Sequence, residues 1–482
     1  MKPLNSNTAA KVIRPERIIQ FGEGNFLRAF VDWIISNMNE KTDFNSSVVV
    51  VQPIEKGMID ALNGQDCLYH VNLQGLEKGK AVNSFRMIDV ISRALNPYND
   101  FKSFISLAEQ PDMRFVISNT TEAGIAFDPS CKLEDAPASS YPAKLTQLLY
   151  HRFKFFNGDM NKGLIIFPCE LIFLNGHKLK ETIYQYIDLW HLEDEFKVWF
   201  EQACGVYATL VDRIVPGFPR KDIDSIKEKL GYDDNMVVQG EAFHLWVIEA
   251  PESVAKEFPA DKAGLNVKFV PSEEPYHERK VTLLNGPHTV LSPVAFLSGV
   301  NIVRDACQHN IIGKYIHRVM FDELMETLNL PKEELRQFAE DVLERFNNPY
   351  VDHQVTSIML NSFPKYATRD LPGLKVYLKR KGFLPEGLVL GLAAIIIYYK
   401  GGKRADGTDI IPNDAPDIME MLTKLWQAGS LPELVKEVLG ATSIWNENLN
   451  EIPGLTERVE YYIEKILNRG MLETVKELVN NK

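Results

Sequence analysis

A chain of 482 residues is too long for one ordinary hydrophobic core, so its length predicts two domains or three. Hydrophobic residues make up 45% and charged residues 24%, which is the composition of a soluble globular enzyme. The formal net charge of −12 argues against nucleic acid or an anionic membrane as a partner. It does not exclude a small acidic substrate, because a few Arg or Lys side chains can reverse the field inside one cleft.

The five cysteines are scattered, without the grouped spacing of a disulfide scaffold or a zinc ribbon. We interpret them as small buried residues in a reducing compartment, and we expect a cytoplasmic protein. The first residues contain no apolar stretch of signal-peptide length. The longest apolar stretch, residues 387–399, is too short to span a bilayer and is predicted to form a buried helix.

The first half of the chain alternates short apolar runs with helical patterns, which predicts a Rossmann-like α/β domain. The runs are residues 17–21, 47–52, 113–118 and 163–167, and two of the helical stretches are 103–109 and 178–190. Nearly continuous apolar runs of this length are typical of parallel strands that are buried on both faces.

After about residue 275, apolar residues recur at helical spacing, as in Leu335, Phe338 and Val342. The second domain is therefore predicted to be mostly α-helical. We place the boundary in the polar stretch 272–275, so that residues 1–272 form the dinucleotide-binding domain and 273–482 the helical substrate domain.

A glycine-containing turn follows the first predicted strand, which ends at Phe21. Gly22 and Gly24 allow a tight turn and a close approach of backbone to a pyrophosphate, with Asn25 as the helix N-cap and Phe26 opening its apolar face. The helix N-terminus would present N–H groups to the phosphates. The third glycine of the full fingerprint is missing, so an ordinary strand-to-helix turn is the alternative interpretation.

The second predicted strand ends at Gln52, where a Rossmann enzyme that uses NAD usually has an acidic residue for the adenosine ribose. Here the acid, Glu55, comes three residues later. This pattern leaves both NAD and NADP open.

Lys280, Asn285 and His288 bring an amine, a carboxamide and an imidazole together within nine residues. Reduction of a carbonyl needs one group to donate a proton to the oxygen and others to polarise it, and a partly desolvated lysine can do the first. A solvated lysine beside a structural histidine is the alternative. The ten histidines include no HExxH motif, and we expect no metal.

The spacing Lys-x4-Asn-x2-His resembles that of the polyol-specific long-chain dehydrogenases, the mannitol dehydrogenase family. Further family-like stretches are residues 20–33, 118–124, 211–216 and 345–350. The resemblance implies a metal-independent enzyme in which Lys280 is the general acid/base. It also implies that the loop containing Thr120 and Glu122 lies beside the nicotinamide.

The resemblance to the sugar-acid branch of the family rests on the cofactor turn of residues 20–33, and Leu171 suits that branch because mannitol dehydrogenases have a second oxyanion-stabilising Asn in its place. It implies reversible reduction of D-tagaturonate to D-altronate with NAD(H), NADP not being excluded. Fructuronate reductase and mannitol or mannitol-phosphate dehydrogenase are the alternatives within the family. A non-catalytic dinucleotide-binding sensor is the alternative from another class, and no pattern in the chain specifies an oligomeric state.

A hexuronate or hexonate carries a carboxylate, and a buried carboxylate needs a paired cation. We expect Lys365 to be that cation, with His353 and Asn361 as polar partners, and Arg213 or Arg345 as the other candidates. A surface lysine before a loop is the alternative interpretation of Lys365.

A proline lies within the catalytic segment, between Asn285 and His288. Because Pro is comfortable only in the first turn of a helix, we expect the helix to begin near Asn285 and not at Lys280.

Overall fold

The computed structural model describes residues 1–121 and 123–480 and divides into two compact units. The first unit contains residues 1–75 and 82–274, and the second contains residues 76–81 and 275–482. The short segment 76–81, the tip of a β-hairpin, thus groups with the helical unit although it lies early in the sequence.

A six-stranded parallel sheet forms the centre of the first unit, with the spatial order β3-β2-β1-β4-β5-β6. Its strands are β1 (Glu16–Phe21), β2 (Ser47–Val51), β3 (Ile91–Leu95), β4 (Phe115–Ser118), β5 (Ile165–Pro168) and β6 (Gly205–Val206). This is the doubly wound order of a Rossmann domain, which confirms the predicted fold class.

The strands of this sheet are buried on both faces, which is why they appear as continuous apolar runs. Ile18 packs into one hydrophobic cluster, whereas Ile19 and Phe21 pack into the cluster on the opposite face. The four predicted strands are present, each with ends within two residues of the predicted ones. Because alternate side chains of a strand point to opposite faces, each face needs its own layer of helices.

The other elements of the first unit are short strands and the helices that cover the sheet. Two three-stranded sheets are formed by Thr209–Asp212, Leu245–Glu249 and Val267–Val270, and by Val238–Glu241, Tyr69–Glu77 and Lys80–Ile88, and Lys2–Pro3 pairs with Tyr232–Asp233. The helices are Asn25–Ala29, Val31–Lys41, Ile59–Asn63, Phe101–Ile105, Tyr141–Phe155, Asn175–Leu189, Asp194–Ala203, Ile223–Leu230 and Glu252–Glu257, with 3₁₀ turns at Ser106–Glu109 and Met160–Lys162.

The second unit is mostly α-helical, as predicted. Its later helices are Val303–Gln308, Ile312–His317, Lys332–Phe346, Val355–Ile358, Ser362–Arg369, Leu371–Lys381, Glu386–Tyr398, Pro416–Ala428, Leu431–Gly440, Thr442–Trp445, Leu455–Arg469 and Met471–Asn480. A π-helical segment (Arg318–Leu324), 3₁₀ turns at Met325–Thr327 and Leu449–Glu451, and a small ribbon of Gly402–Lys403 with Asp409–Ile410 complete it.

Helix Glu386–Tyr398 is the core of the second unit, and it is the predicted buried helix. A Cβ at Gly391 would lie 2.5 Å from Val290, so only glycine allows this close approach to the neighbouring helix. No helix in the described ranges is both long and apolar enough to cross a membrane.

The first long helix of the second unit contradicts the expected helix start. Glu274–Lys280 is α-helical, Val281–Asn285 forms one π turn, and Gly286–Leu297 is α-helical again, so one continuous helix runs through Lys280. The expectation that it begins near Asn285 was wrong. In a regular α-helix the ring of Pro287 would clash with the carbonyl four residues earlier, and the wider π turn accommodates it.

The side chain of Asn175 joins two parts of the first unit. It donates to the carbonyl oxygens of Pro168, Glu170 and Thr209 at 2.9–3.0 Å, and its Oδ1 accepts the Thr209 N–H at 2.8 Å. Asn175→Ala leaves these buried groups without partners and should lower the free energy of unfolding by about 2–4 kcal/mol. Urea denaturation would measure this loss against the exposed control Asn161→Ala, and equal midpoints would contradict it.

Candidate active site

The strand β1 ends in a turn that only glycine can form. Gly22 has φ +124°, and a Cβ there would lie 2.9 Å from the Asn119 carbonyl oxygen. Gly24 is exposed and has no neighbouring atom within 4 Å of its Cβ position among the described residues. Helix Asn25–Ala29 starts immediately after it. The turn therefore presents bare backbone at the carboxyl end of β1.

Asn25 was predicted to cap this helix, and that prediction was wrong. Gly24 occupies the N-cap position, and Asn25 is the first helical residue. The Oδ1 of Asn25 accepts a hydrogen bond of 2.8 Å from Arg28, whose buried guanidinium also binds the carbonyls of Glu23 and Met236. The demand of this buried cation for acceptors explains why the Asn25 side chain turns away from its own helix end.

The two phenylalanines of the predicted cofactor set do not line the turn in the same way. The side chain of Phe21 is buried against Tyr141 and Phe104, so only its backbone faces the turn. The ring of Phe26 is half-buried and stacks on Phe30 at 5.0 Å.

Gln52 is buried at the end of β2, where its amide donates to the carbonyls of Ile54 and Glu55 at 2.8 and 3.0 Å. The side chain thus shapes the loop that follows the strand. Glu55 itself is exposed.

The end of β4 is held by Glu170, a residue that the sequence analysis did not select. Its carboxylate accepts hydrogen bonds from Ser118 Oγ at 3.0 Å and from the Thr120 N–H and hydroxyl at 3.0 and 2.9 Å. Burial raises the pKa of Glu170. An acid two residues after the end of the buried strand β5 was the available signal. Glu122, predicted to lie beside the nicotinamide, falls outside the described residues.

These features of the first unit fit a dinucleotide. Gly22 and Gly24 remove side chains where a pyrophosphate would contact backbone, and a helix N-terminus follows at once. The ends of β1, β2 and β4 lie on neighbouring strands of one parallel sheet, so Gly22, Gln52 and Thr120 meet at its carboxyl edge.

In the second unit, the long helix carries all three predicted catalytic residues. Lys280, Asn285 and His288 are each partly exposed, whereas the neighbouring Arg279 is buried. Arg279 binds Glu334 at 2.9 Å and lies 4.2 Å from the Phe338 ring. Arg279 therefore fixes this part of the helix on helix Lys332–Phe346 and leaves Lys280 on another side.

The imidazole of His288 lies among other rings and cations. It packs on Phe346 at 4.0 Å between ring centroids and meets His353 edge-on at 5.4 Å. The ring also hydrogen-bonds the Leu284 backbone, and its Nε2 is buried without a partner in the described structure. Because a carbonyl oxygen only accepts, Nδ1 carries the proton and Nε2 is left as an acceptor.

Burial holds the pKa of His288 well below its usual range, and the charges of His353, Arg345 and Arg369 lower it further. Arg369 was not among the predicted residues. It lies at the end of helix Ser362–Arg369 and donates to Thr289 Oγ1 at 3.3 Å, one residue beyond His288 on the helix of residues 274–297. Helical spacing could have revealed it, since Arg369 follows Lys365 by four residues.

The structure brings together only part of the predicted carboxylate site. His353 and Arg345 lie beside His288, whereas Lys365 donates to the Ile358 carbonyl at 2.7 Å and Asn361 is exposed at the start of its helix. Burial lowers the pKa of Lys365, and the nearby charge of Arg369 adds to this effect.

Arg213 belongs to the first unit and is buried there. Its guanidinium donates to the carbonyls of Ala29, Phe243 and Ala242 and lies 4.3 Å from the Trp33 ring. Burial lowers the pKa of Arg213 to about 9. These contacts indicate that Arg213 stabilises the packing of the first unit, and they do not favour a contact between Arg213 and a substrate.

Leu171, which departs from the family pattern, has an exposed apolar side chain (61% exposed) after β5. Asn175, four residues later, is fully engaged with backbone groups and does not replace the missing amide. Over residues 1–121 and 123–480, no group of three or more His, Cys, Asp or Glu side chains could hold a metal ion.

The doubly wound sheet, the glycine turn and the match to a dehydrogenase family together define an oxidoreductase that acts on CH–OH groups with a nicotinamide dinucleotide. The model of the mannitol dehydrogenase Rossmann domain matches residues 16–262, and that of the mannitol dehydrogenase C-terminal domain matches residues 273–467. The chain belongs to the mannitol dehydrogenase family.

Several curated relatives match along the whole chain. An altronate oxidoreductase of Phocaeicola vulgatus is 80% identical over 476 residues, which cover 99% of each chain. Altronate oxidoreductases of Escherichia coli O139:H28 and Bacillus subtilis are 46% and 44% identical, and the matches cover 99% of this chain and 100% and 98% of theirs.

Two solved structures share the fold. D-sorbitol dehydrogenase in substrate-free form has a TM-score of 0.81 at 19% identity, covering 98% of this chain and 100% of the other. Pseudomonas fluorescens mannitol 2-dehydrogenase, in a ternary complex with NAD and D-mannitol, has a TM-score of 0.68 at 21% identity and covers 100% of both chains.

The glycine turn generates a direct test of cofactor binding. Gly24→Val meets no neighbouring atom in the protein and suits the extended backbone at this position, so the fold should persist. The added side chain would occupy the place where pyrophosphate meets backbone, and dinucleotide affinity should fall by about 100-fold or more. Fluorescence titration with NADH measures this loss. Unchanged affinity in a folded Gly24→Val protein would place the cofactor elsewhere.

Proposed function

We propose that this enzyme interconverts D-tagaturonate and D-altronate with NAD(H), without a metal, as a cytoplasmic step of hexuronate catabolism. The observation that carries the proposal is the guanidinium of Arg369, which donates to Thr289 Oγ1 on the Lys-Asn-His helix at 3.3 Å and, like Arg345, carries a charge that lowers the pKa of His288. A neutral polyol would not need two cations there, whereas a sugar acid carries the charge that they complement. The altronate oxidoreductases that match along the whole chain support the same substrate class.

Lys280 acts as the general acid/base. Its Nζ donates a proton to the carbonyl oxygen during reduction and takes it back during oxidation. When bound, the nicotinamide supplies or accepts the hydride. The Asn285 amide donates a hydrogen bond to the same oxygen and stabilises negative charge as it develops there.

His288 was expected to polarise the reacting oxygen, and we propose that it orients the substrate instead. Its low pKa keeps the imidazole neutral, and Nε2 is an acceptor. We assign Nε2 to a hydroxyl of the substrate next to the reacting carbon, which would donate to it. This contact orients the sugar chain and leaves the reacting oxygen to Lys280 and Asn285.

We propose NAD and not NADP as the cofactor because an acidic residue, Glu55, follows β2. Glu55 is exposed on the loop shaped by Gln52, where its carboxylate can approach an unmodified ribose and would repel a 2′-phosphate. Comparison of kcat/KM for NADH and NADPH tests this choice. We propose a cytoplasmic location because the five cysteines are free thiols, as is typical of proteins in a reducing compartment.

The function is tested by assaying NADH oxidation with tagaturonate, fructuronate, fructose and fructose phosphates. We expect tagaturonate to have the highest kcat/KM. A higher kcat/KM for fructuronate or for fructose would assign one of the alternative activities to the enzyme. NADH binding without turnover of any of these ketoses would favour the sensor.

Lys280→Ala should lower kcat for tagaturonate by a factor of about 10² or more, because the proton donor is removed while the rest of the site remains. The affinity for NADH should not change. Lys379→Ala, an exposed lysine of the same unit, is the matched control. Near-normal turnover in Lys280→Ala would exclude Lys280 as the acid/base.

The carboxylate site is tested by comparing Arg369→Met with Lys365→Met. Loss of a guanidinium that pairs with the carboxylate should lower kcat/KM for tagaturonate by about 100-fold, and much less for the neutral ketose fructose. Lys365→Met should have a smaller effect, because its Nζ binds the Ile358 carbonyl. A selective loss in Lys365→Met alone would restore Lys365 as the cation.

A further inference from the structure

Glu170 places a buried carboxylate at the carboxyl edge of the parallel sheet. It lies two residues after β5, and only 2% of its surface is exposed. The carboxylate accepts hydrogen bonds from the hydroxyl groups of Ser118 and Thr120 and from the Thr120 N–H, at 2.9–3.0 Å. These partners are uncharged, and within residues 1–121 and 123–480 no Lys, Arg or His forms an ion pair with Glu170. A charge on this carboxylate is therefore not neutralised by a neighbouring cation.

The contacts of Glu170 suit its ionised form. Burial favours the neutral acid and raises the pKa of Glu170. The hydrogen bonds from Ser118 and Thr120 lower this pKa and so oppose the effect of burial. Because a backbone N–H can only donate, the Thr120 contact requires an acceptor oxygen on Glu170. The edge of the sheet is thus arranged to hold a carboxylate.

The strand order indicates which half of a dinucleotide comes near Glu170. The turn after β1 suits the pyrophosphate, and β2, on one side of β1, ends on the adenosine side. On the other side of β1 lies β4, followed by β5. We therefore expect the nicotinamide half at the carboxyl ends of β4 and β5. These are the two strand ends that the hydrogen bonds of Glu170 join.

The nicotinamide ring carries a positive charge in NAD⁺ and no charge in NADH. A buried carboxylate near the ring attracts the first form more than the second, and burial limits the screening of this attraction by water. We propose that the charge of Glu170 distinguishes the two oxidation states of the cofactor and favours binding of the oxidised one. Stabilising NAD⁺ on the enzyme makes bound NADH the stronger hydride donor. The proposal rests on the proposed use of NAD(H), but not on which keto acid is the substrate.

The test measures Kd for NAD⁺ and for NADH in Glu170→Gln, by calorimetric and fluorescence titration. Glutamine keeps the length of the side chain, its carbonyl oxygen can accept the Thr120 N–H, and its NH₂ group can donate to the Ser118 hydroxyl. The main change is the loss of the charge. We expect Kd for NAD⁺ to rise by about 10-fold and Kd for NADH to change by less than about 2-fold. Equal changes in the two affinities, or no change in either, would overturn the proposal.

Two further variants separate charge from geometry. Glu170→Asp keeps the charge on a shorter side chain, so both affinities fall together and the ratio of the two Kd values stays within about 2-fold of the unmodified one. A ratio like that of Glu170→Gln would contradict the proposal. Glu257→Gln is the matched control, because Glu257 binds Arg114 at 2.7 and 2.9 Å just before β4, at the opposite edge of the sheet and about 13 Å or more away. A changed ratio in this control would also contradict the proposal.

ADP-ribose separates an effect of charge from damage to the fold. It contains the adenosine and pyrophosphate groups but no nicotinamide, so its Kd should be the same in Glu170→Gln and in the unmodified protein. Weaker binding of ADP-ribose, in parallel with NAD⁺, would show that the substitution disturbs the glycine turn, and the proposal would fail. If the protein binds NADP(H) and not NAD(H), the proposed cofactor is wrong, and the same ratio measured with NADP⁺ and NADPH decides the role of Glu170.

Discussion

The helix of residues 274–297 is held at two points, and the geometry of the second unit depends on them. Near its start, the buried guanidinium of Arg279 binds Glu334 and lies over Phe338. Beyond the π turn, Val290 contacts Gly391, where a side chain would leave no room. Since both anchors are buried, the stretch between them cannot rotate as a whole. The positions of Lys280, Asn285 and His288 therefore depend on the path of the backbone between the two anchors.

The electrostatics of this face follow from the same packing. Arg345 and Arg369 both reach the surroundings of His288, and a protonated imidazole would add a third positive charge in a partly buried place. Burial and these two charges keep the imidazole neutral. A bound carboxylate would offset the guanidinium charges and raise the pKa of His288 again. Binding of the proposed sugar acid at this place would thus be linked to the protonation of His288, whereas a neutral substrate would lack this link.

Much of the first unit could be predicted from the sequence, because its strands are buried on both faces. Ile18 and Ile19 pack into hydrophobic clusters on opposite faces of the sheet. Because both faces are buried, successive residues of the strand are apolar, and the strand is recognisable in the sequence as a continuous apolar run. The start of the helix of residues 274–297 could not be predicted in this way. Proline is favoured in a first helical turn, but this helix contains Pro287 just after a π turn and Pro293 in its interior, and no local pattern indicates the π turn.

The cations were harder to assign, because the sequence shows a charge but not its acceptors. Arg213 looked like a substrate residue, yet three carbonyl oxygens of the first unit accept its N–H groups. Arg152 binds four carbonyls, and Arg28 binds two and the Asn25 amide. A guanidinium has five N–H donors, and one that is surrounded by carbonyls has few left for a carboxylate.

Arg369 differs from these three arginines in the kind of neighbour it has. It gives an N–H to the hydroxyl of Thr289 at 3.3 Å, and its charge lowers the pKa of His288. The charge of the neighbouring Asp370 offsets the burial of Arg369 only in part, so burial still lowers the pKa of Arg369. An incoming carboxylate would supply the missing charge. Arg369 is therefore separated from the three structural arginines by the number of acceptors already around it, and this number depends on residues far apart in the chain.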